Sequence, residues 1–429
     1  MTRALPRPAG RNTRPAEFAG LRMTSYPMDI GEELPLLAGP RDILWNRQGE
    51  GFVGIGAAGR WQIADDKLHG ARLAEVAKDL RALTARSASG QPRPRVFGAI
   101  PFLPGTEMVL VLPEVTVRQG PQGECIVTVI HSGDAPAADT LRDLLTCRNA
   151  GLAYPEAYHI RSAGLSHARW KAQVAEATSA IAEQTMQKVV LARRVRISAS
   201  GPIPRAWVLR RLIRNYPSCM VFGFGDFVAA SPELLLSRTG RSVKSFPLAG
   251  TVEYQPLIGA GNHLEWDQAL SADKNMREHK WVVRAIEDDL ARCCASLSSE
   301  STPRSVRVGG LVHLGTLVQG TLRCPVPTSA ELCRLLVPTP AVAGYPRQAA
   351  LDFLAGAEEF DRGLYGGAVG WMDSSGDGEW ALGIRCGRIF GHEASLFAGV
   401  GVVDGSDPEA ELLETQWKLK PMIDAIVMP

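Results

Sequence analysis

Glu411, Glu414 and Lys418 fall at i, i+3 and i+7 within LFAGVGVVDGSDPEAELLETQWKLK. On a helix this spacing sets two carboxylates and an ammonium on one face. Two like charges three residues apart repel unless a cation lies between them, and Mg²⁺ held by one or two carboxylates plus substrate oxygens is a common cation for such a pair. A solvated acidic face is the alternative. Four other positions combine reactive side chains with apolar surroundings. Glu278 shares a helical stripe with Val282, Ala285 and Ile286, so an acid lies on an inward face and needs a metal, an Arg or a Lys opposite. Lys188 opens the apolar strand KVVLARRVRI. Glu233 follows a proline and precedes three leucines, which puts its carboxylate either at a wet sheet edge or in a dry site with a raised pKa. Arg385 is expected inside a hairpin strand between Ile384 and Cys386, and His313 inside LVHLG.

The elements that position these groups follow from local patterns. Ser406 or Asp407 can cap the acidic helix, and Pro408 suits its first turn. Ser166 can cap a helix whose stripe is Trp170, Val174, Ala177 and Ile181. That helix leads into the strand from Lys188, where alternation sets Lys188, Val190 and Ala192 on one face and Val189 and Leu191 on the other. A further helix is expected over 204–215, and a long one over 263–294. SCMVFGFG, ELLLSRTG, SVKSFPLAG and LVHLGTLVQGTL read as strands, and LYGGAVGWMDSSGDGEWALGIRCGRIF as a hairpin turning at 374–378. Before them, residues 43–130 are strand-rich around one helix at 73–86, with GIGAAG as a turn between strands and not a phosphate loop.

The whole chain narrows the function class. It has 429 residues, 45% hydrophobic and 21% charged, with a formal charge of +2. A near-neutral balance argues against a nucleic-acid or acidic-membrane partner, and no apolar run reaches membrane-spanning length. Eight scattered cysteines without CxxC or zinc spacing suit free thiols in a reducing cytoplasm. Residues 1–22, rich in Arg, Pro and Gly without an apolar core, read as a disordered leader, 23–152 as the N-terminal strand-rich part, and 153–429 as the catalytic region.

KVVLAR at 188–193, SPELLL at 231–236, PLAGT at 247–251, KNMREH at 274–279, HLGTLVQG at 313–320, PTPAVAGYP at 338–346, FDRGLYGGAVGW at 360–371, GDGEWALGIRC at 376–386 and SDPEAELLET at 406–415 follow one another along the chain. In that order they resemble the chorismate-utilising family, which includes isochorismate synthases, salicylate synthases and the large subunits of anthranilate and aminodeoxychorismate synthases. The resemblance implies a single large α/β (α+β) fold of two facing antiparallel β-sheets with helices outside. It implies Mg²⁺ on Glu278 and Glu414 with Glu411 beside them, gripping the ring carboxylate of chorismate. It places Lys418, Arg385 and the backbone at Gly399 and Gly401 around the substrate carboxylates, and Gly250, Thr251, His313, Ala341, Tyr365 and Ile384 at the ring. Glu233 then corresponds to the general acid at the leaving hydroxyl and Lys188 to the base for the incoming nucleophile.

Members that use water carry Lys at the position of Lys188, so the resemblance implies isochorismate as the first product, with no glutaminase partner and a monomeric enzyme. Ala341 and Ile384 match isochorismate synthases; Tyr365 and Thr251 also suit salicylate synthases, which go on to eliminate pyruvate. A non-catalytic paralogue acting as a binding subunit is the remaining alternative. Val252, Glu253, Asn275, Val337 and Val400 depart from the family's usual residues without removing a proposed catalytic group.

Overall fold

The computed structural model describes residues 18, 20–31, 33–146, 155–163, 166–254 and 270–428. Residues 1–17 of the expected leader lie outside these, but its last residues do not behave as a tail. Phe18 is buried against Trp61, and Arg22–Pro27 pairs along its whole length with Cys125–His131.

Among the described residues the strands form two large antiparallel sheets, of 12 and 9 strands, and a third of 3. The larger sheet holds Lys188–Ala199 beside Glu393–Val402, then Cys386–Phe390, Phe227–Ser231, Met220–Phe224 and Ile43–Arg47 in that order. The second holds Leu234–Thr239, Gly378–Leu382, Ala368–Asp373 and Arg95–Ile100 side by side. Trp45, Phe222, Phe227 and Phe397 from the first sheet meet Phe97, Val369 and Ala381 from the second in one buried cluster, so the sheets face each other across an aromatic core. Helices cover the outer faces. The GIGAAG turn carries the chain from Glu50–Ile55 in the larger sheet to Gly59–Ile63 in the second.

The third sheet was not foreseen. Leu248–Glu253, Leu311–Gly315 and Arg304–Val308 pair apart from the others, and a bulge between Ala249 and Thr251 breaks the register at Gly250, whose φ is 73°. Only glycine adopts that conformation without strain. LVHLGTLVQGTL therefore splits between two sheets, Leu311–Gly315 in the third and Val318–Leu322 in the second.

Local chemistry explains the helices that frame the cleft. Ser166 caps His167–Ala182 by accepting from the Arg169 amide, and Trp170, Val174, Ala177 and Ile181 are all buried. Their partners are Val189 and Leu191, the outward face of the Lys188 strand; burying each such large apolar side chain is worth about 1.5–3 kcal/mol. That choice of face turns Lys188, Val190 and Ala192 inward. Asp407, not Ser406, caps Pro408–Val427 by accepting from the Ala410 amide, while Ser406 Oγ accepts from the Val403 amide. The helix expected over 263–294 begins, within the described residues, at Asp273 and ends at Ala291; Ala272 has extended geometry, and residues 263–269 lie outside the description.

Candidate active site

Lys188 opens its strand with no exposed side-chain surface. Across the ladder Val190 faces Gly401 and Ala192 faces Gly399, and both glycines are required by what lies over them. A Cβ on Gly401 would collide with Glu278 Oε1 and sit 2.8 Å from Lys188 Cε, and one on Gly399 would collide with the Tyr365 hydroxyl. The bare position at 399 makes room for Tyr365, and that at 401 lets the Asp273–Ala291 helix lower Glu278 onto the sheet, where its Oε1 lies 3.1 Å from Lys188 Nζ. The pair is an ion contact without hydrogen-bond alignment, because Lys188 Nζ has no hydrogen-bond partner. Burial raises the Glu278 pKa and the surrounding lysines, Lys188 foremost, more than reverse this, so the carboxyl lies below its ordinary range.

Glu233 stands at the start of Leu234–Thr239 in the second sheet and is 1% exposed. Burial drives its pKa up to about 8, against the opposing pull of Lys188, the Leu248 amide, Arg385 and Lys418. One carboxyl oxygen, Oε1, has no hydrogen-bond partner. The sequence left open a wet edge or a dry pocket; the structure places this acid in the dry pocket, held protonated near neutrality.

Arg385 corrects the hairpin expectation. The strand ends at Leu382 and the next begins at Cys386, so Arg385 occupies the junction with φ of 49°. A non-glycine residue in the left-handed region is strained, and such strain persists where the surroundings enforce it. The kink turns a buried guanidinium into the cleft, and Nη2 lies 3.1 Å from His313 Nε2. Arg can only donate, so Nε2 accepts and the imidazole proton is assigned to Nδ1, which meets Gly250 O at 3.3 Å and Thr251 Oγ1 at 3.1 Å. Burial, then the charges of Arg385 and Lys418, holds the His313 pKa well below its usual value, consistent with a neutral ring. His313 thus orients the arginine as well as facing the cleft.

Twelve of the fifteen residues singled out from the sequence line one cleft: Glu233, Gly250, Thr251, Glu278, His313, Ala341, Tyr365, Ile384, Arg385, Gly399, Gly401 and Lys418. Lys188, Glu411 and Glu414 are not on its wall. Lys188 lies behind Glu278, while Lys418 bridges Glu414 Oε1 at 2.5 Å and the Gly399 carbonyl at 3.0 Å. Val190, Pro232, Leu248, Val342 and Phe397 also line the cleft and escaped the sequence reading, since an apolar wall residue carries no chemical mark.

The three candidate metal ligands each face a lysine: Glu278 with Lys188, Glu414 with Lys418, and Glu411 with Lys274, whose Nζ lies 2.5 Å from its Oε1. Among the described residues no three acidic, His or Cys side chains converge on one point. The donor set nevertheless fits a hard divalent cation. All three groups offer carboxylate oxygens, and burial followed by repulsion from Glu414 lifts the Glu411 pKa to about 7, a strain that added positive charge relieves. One or two of these carboxylates, with water and ligand oxygens, make an ordinary Mg²⁺ shell. Lys274 was not singled out as a site residue; its place in KNMREH, one turn before Glu278, was the available signal.

Comparison with known proteins agrees with this geometry. Residues 33–427 match a family described as chorismate binding enzyme. The isochorismate synthase DhbC of Bacillus subtilis (strain 168) is 33% identical over 358 residues, 80% of this chain and 84% of that protein. The vibriobactin-specific isochorismate synthase of Vibrio cholerae is 30% identical over 381 residues, 88% and 89% of the two chains. The structure of MenF, the menaquinone-specific isochorismate synthase from Escherichia coli, shares the fold with a TM-score of 0.76 at 24% identity, over 95% of each chain. A family match over nearly the whole length, with relatives that align across most of both chains, settles the membership that the ordered motifs pointed to: the chain belongs to the chorismate-binding enzyme family.

Proposed function

We propose that this chain is an isochorismate synthase that adds water to ring C2 of chorismate as the C4 hydroxyl leaves, in a Mg²⁺-dependent reaction that needs no glutaminase subunit. The observation that carries the reading is a pair of buried titratable groups from opposite sheets: a Glu233 carboxyl held protonated with a pKa of about 8 and one oxygen unengaged, and a Lys188 amine withdrawn from water.

Glu233 donates its proton to the C4 oxygen, which departs as water. Lys188, acting as the free amine, takes the proton from the water that attacks C2, and Glu278 at 3.1 Å supplies the counter-charge for the resulting ammonium. The two transfers balance, so the product is an isomer of the substrate. Arg385, oriented by His313, offers a planar fork to the enolpyruvyl carboxylate. Lys418 and the Gly399 and Gly401 backbone stand around the substrate carboxylates, and Thr251, Ala341, Tyr365 and Ile384 around the ring. Glu278 and Glu414, with Glu411 in support, would hold Mg²⁺, which would supply charge neutralisation for the ring carboxylate. The names of the relatives support the same product.

The test is chromatography of purified chain incubated with chorismate and Mg²⁺, without ammonia or a second protein. Isochorismate is expected. Salicylate with pyruvate would assign the chain to the lyases, and an aminated product formed only with ammonia would overturn the role of Lys188.

A further inference from the structure

Glu358 and Arg362, in the segment EEFDRG at 358–363, form a charged pair that none of the above roles uses. Arg362 is 2% exposed and lies beneath the cleft wall. Its Nε donates to Glu358 Oε2 at 2.7 Å and its Nη2 also meets Glu358 Oε1. The same guanidinium donates through Nη1 to the Val342 carbonyl and through Nη2 to the Val190 carbonyl, each at 2.7 Å. Glu358 Oε1 in turn accepts from the Ala192 amide at 3.0 Å. The guanidinium lies 4.3 Å from the centre of the Phe102 ring and 5.3 Å from that of Tyr365.

The partners of this pair are not a random sample of the core. Val190, Val342 and Tyr365 all line the cleft, and they come from three separate segments: the Lys188 strand, the loop after Pro340, and the turn before Ala368. Val190 and Ala192 follow Lys188 on the inward face of its strand. The groups assigned to the substrate carboxylates, Arg385 and Lys418, hold their places through His313, Glu414 and Gly399 instead. None of the bonds of Arg362 and Glu358 given above goes to Arg385 or Lys418.

We propose that Arg362 and Glu358 are positioning residues that lock the ring wall and the Lys188 strand in register, setting the geometry of the chemical step without contributing to substrate grip. The inference rests on the isochorismate synthase reading. It predicts a split: loss of the pair lowers kcat at least tenfold and leaves KM within threefold, since small misplacement of a reacting group is felt mainly in the chemical step.

The deciding variant is the double substitution Arg362→Met with Glu358→Leu. Removing both charges leaves no unpaired buried ion, and exchanges of this kind are often neutral for stability. Steady-state kinetics with chorismate and Mg²⁺, together with thermal unfolding, give both readouts. A melting temperature near that of the parent with kcat down tenfold or more supports the proposal. A folded variant with kcat within twofold of the parent overturns it, as does a rise in KM that accounts for the whole loss. Should the double variant not fold, Glu358→Gln keeps the side chain's shape but removes the charge and turns one accepting oxygen into an NH2 donor facing Arg362 or the Ala192 amide, and kcat equal to the parent's would again overturn the proposal. A parent chain that makes no isochorismate would instead sink the underlying functional reading, so the two failures are distinguishable.

Discussion

The protonation state of Glu233 gives the sharpest handle on the chemistry. A general acid works only while it holds its proton, and burial sets its pKa at about 8. At pH 7 about 90% of such a carboxyl is protonated, against roughly 0.3% for a glutamate at the ordinary value near 4.5, so the dry pocket enlarges the active population about 300-fold. The parent enzyme should show kcat flat from about pH 6 to 7.5 and falling tenfold per pH unit above about 8. Glu233→Gln should lower kcat by roughly 10²–10⁴ and abolish that alkaline limb, because the amide cannot donate an acidic proton. The same shift acts on stability. Its folded pKa is raised, so its contribution is fully present below about 4.5 and lost as pH rises to about 8, up to about 5 kcal/mol at most. Thermal unfolding of Glu233→Gln should therefore lose the parent's decline across that window. A parent profile that stays flat to pH 9.5, or an alkaline limb that survives in an active Gln variant, would refute Glu233 as the acid.

Other perturbations test the remaining roles. Lys188→Gln should reduce kcat at least 10²-fold while chorismate affinity, measured by calorimetry, stays within threefold. Arg385→Lys keeps the charge but loses the fork, and should raise KM by about 10–100-fold, the worth of a charge-assisted hydrogen bond. Gly401→Ala drives a methyl into Glu278 and Lys188; it should weaken Mg²⁺ binding in a calorimetric titration and cut activity more than tenfold, with little change in secondary structure by circular dichroism. Chelation with EDTA should abolish turnover, and Mg²⁺ should restore it.

Much of the site could be read before folding because its residues sit in local patterns that physics constrains. Alternation in KVVLAR put Lys188, Val190 and Ala192 on one face, which the packing of Val189 and Leu191 against the Trp170 helix turns inward, and the spacing of Glu411, Glu414 and Lys418 predicted a shared helical face, on which Lys418 bridges Glu414. What could not be read depends on contacts between distant segments. The partner of Glu278 lies 90 residues earlier on another element, so a lysine, an arginine and a metal were equally admissible from the helix alone. The dry surroundings of Glu233 come from stacking two sheets. Arg385 was expected in a regular strand because it lies between Ile384 and Cys386 in the second half of the hairpin, whereas contacts made elsewhere in the fold impose its left-handed kink. The Arg362–Glu358 pair has helical i, i+4 spacing in a segment that forms no helix there, so pattern reading gave it no role.

The central claim is that water, activated at Lys188, becomes the new ring hydroxyl. The most direct measurement is the mass of the product formed by purified chain from chorismate and Mg²⁺ in heavy-oxygen water. Isochorismate carrying one heavy oxygen, at C2, is expected. Isochorismate without the label, or salicylate and pyruvate in its place, would contradict it.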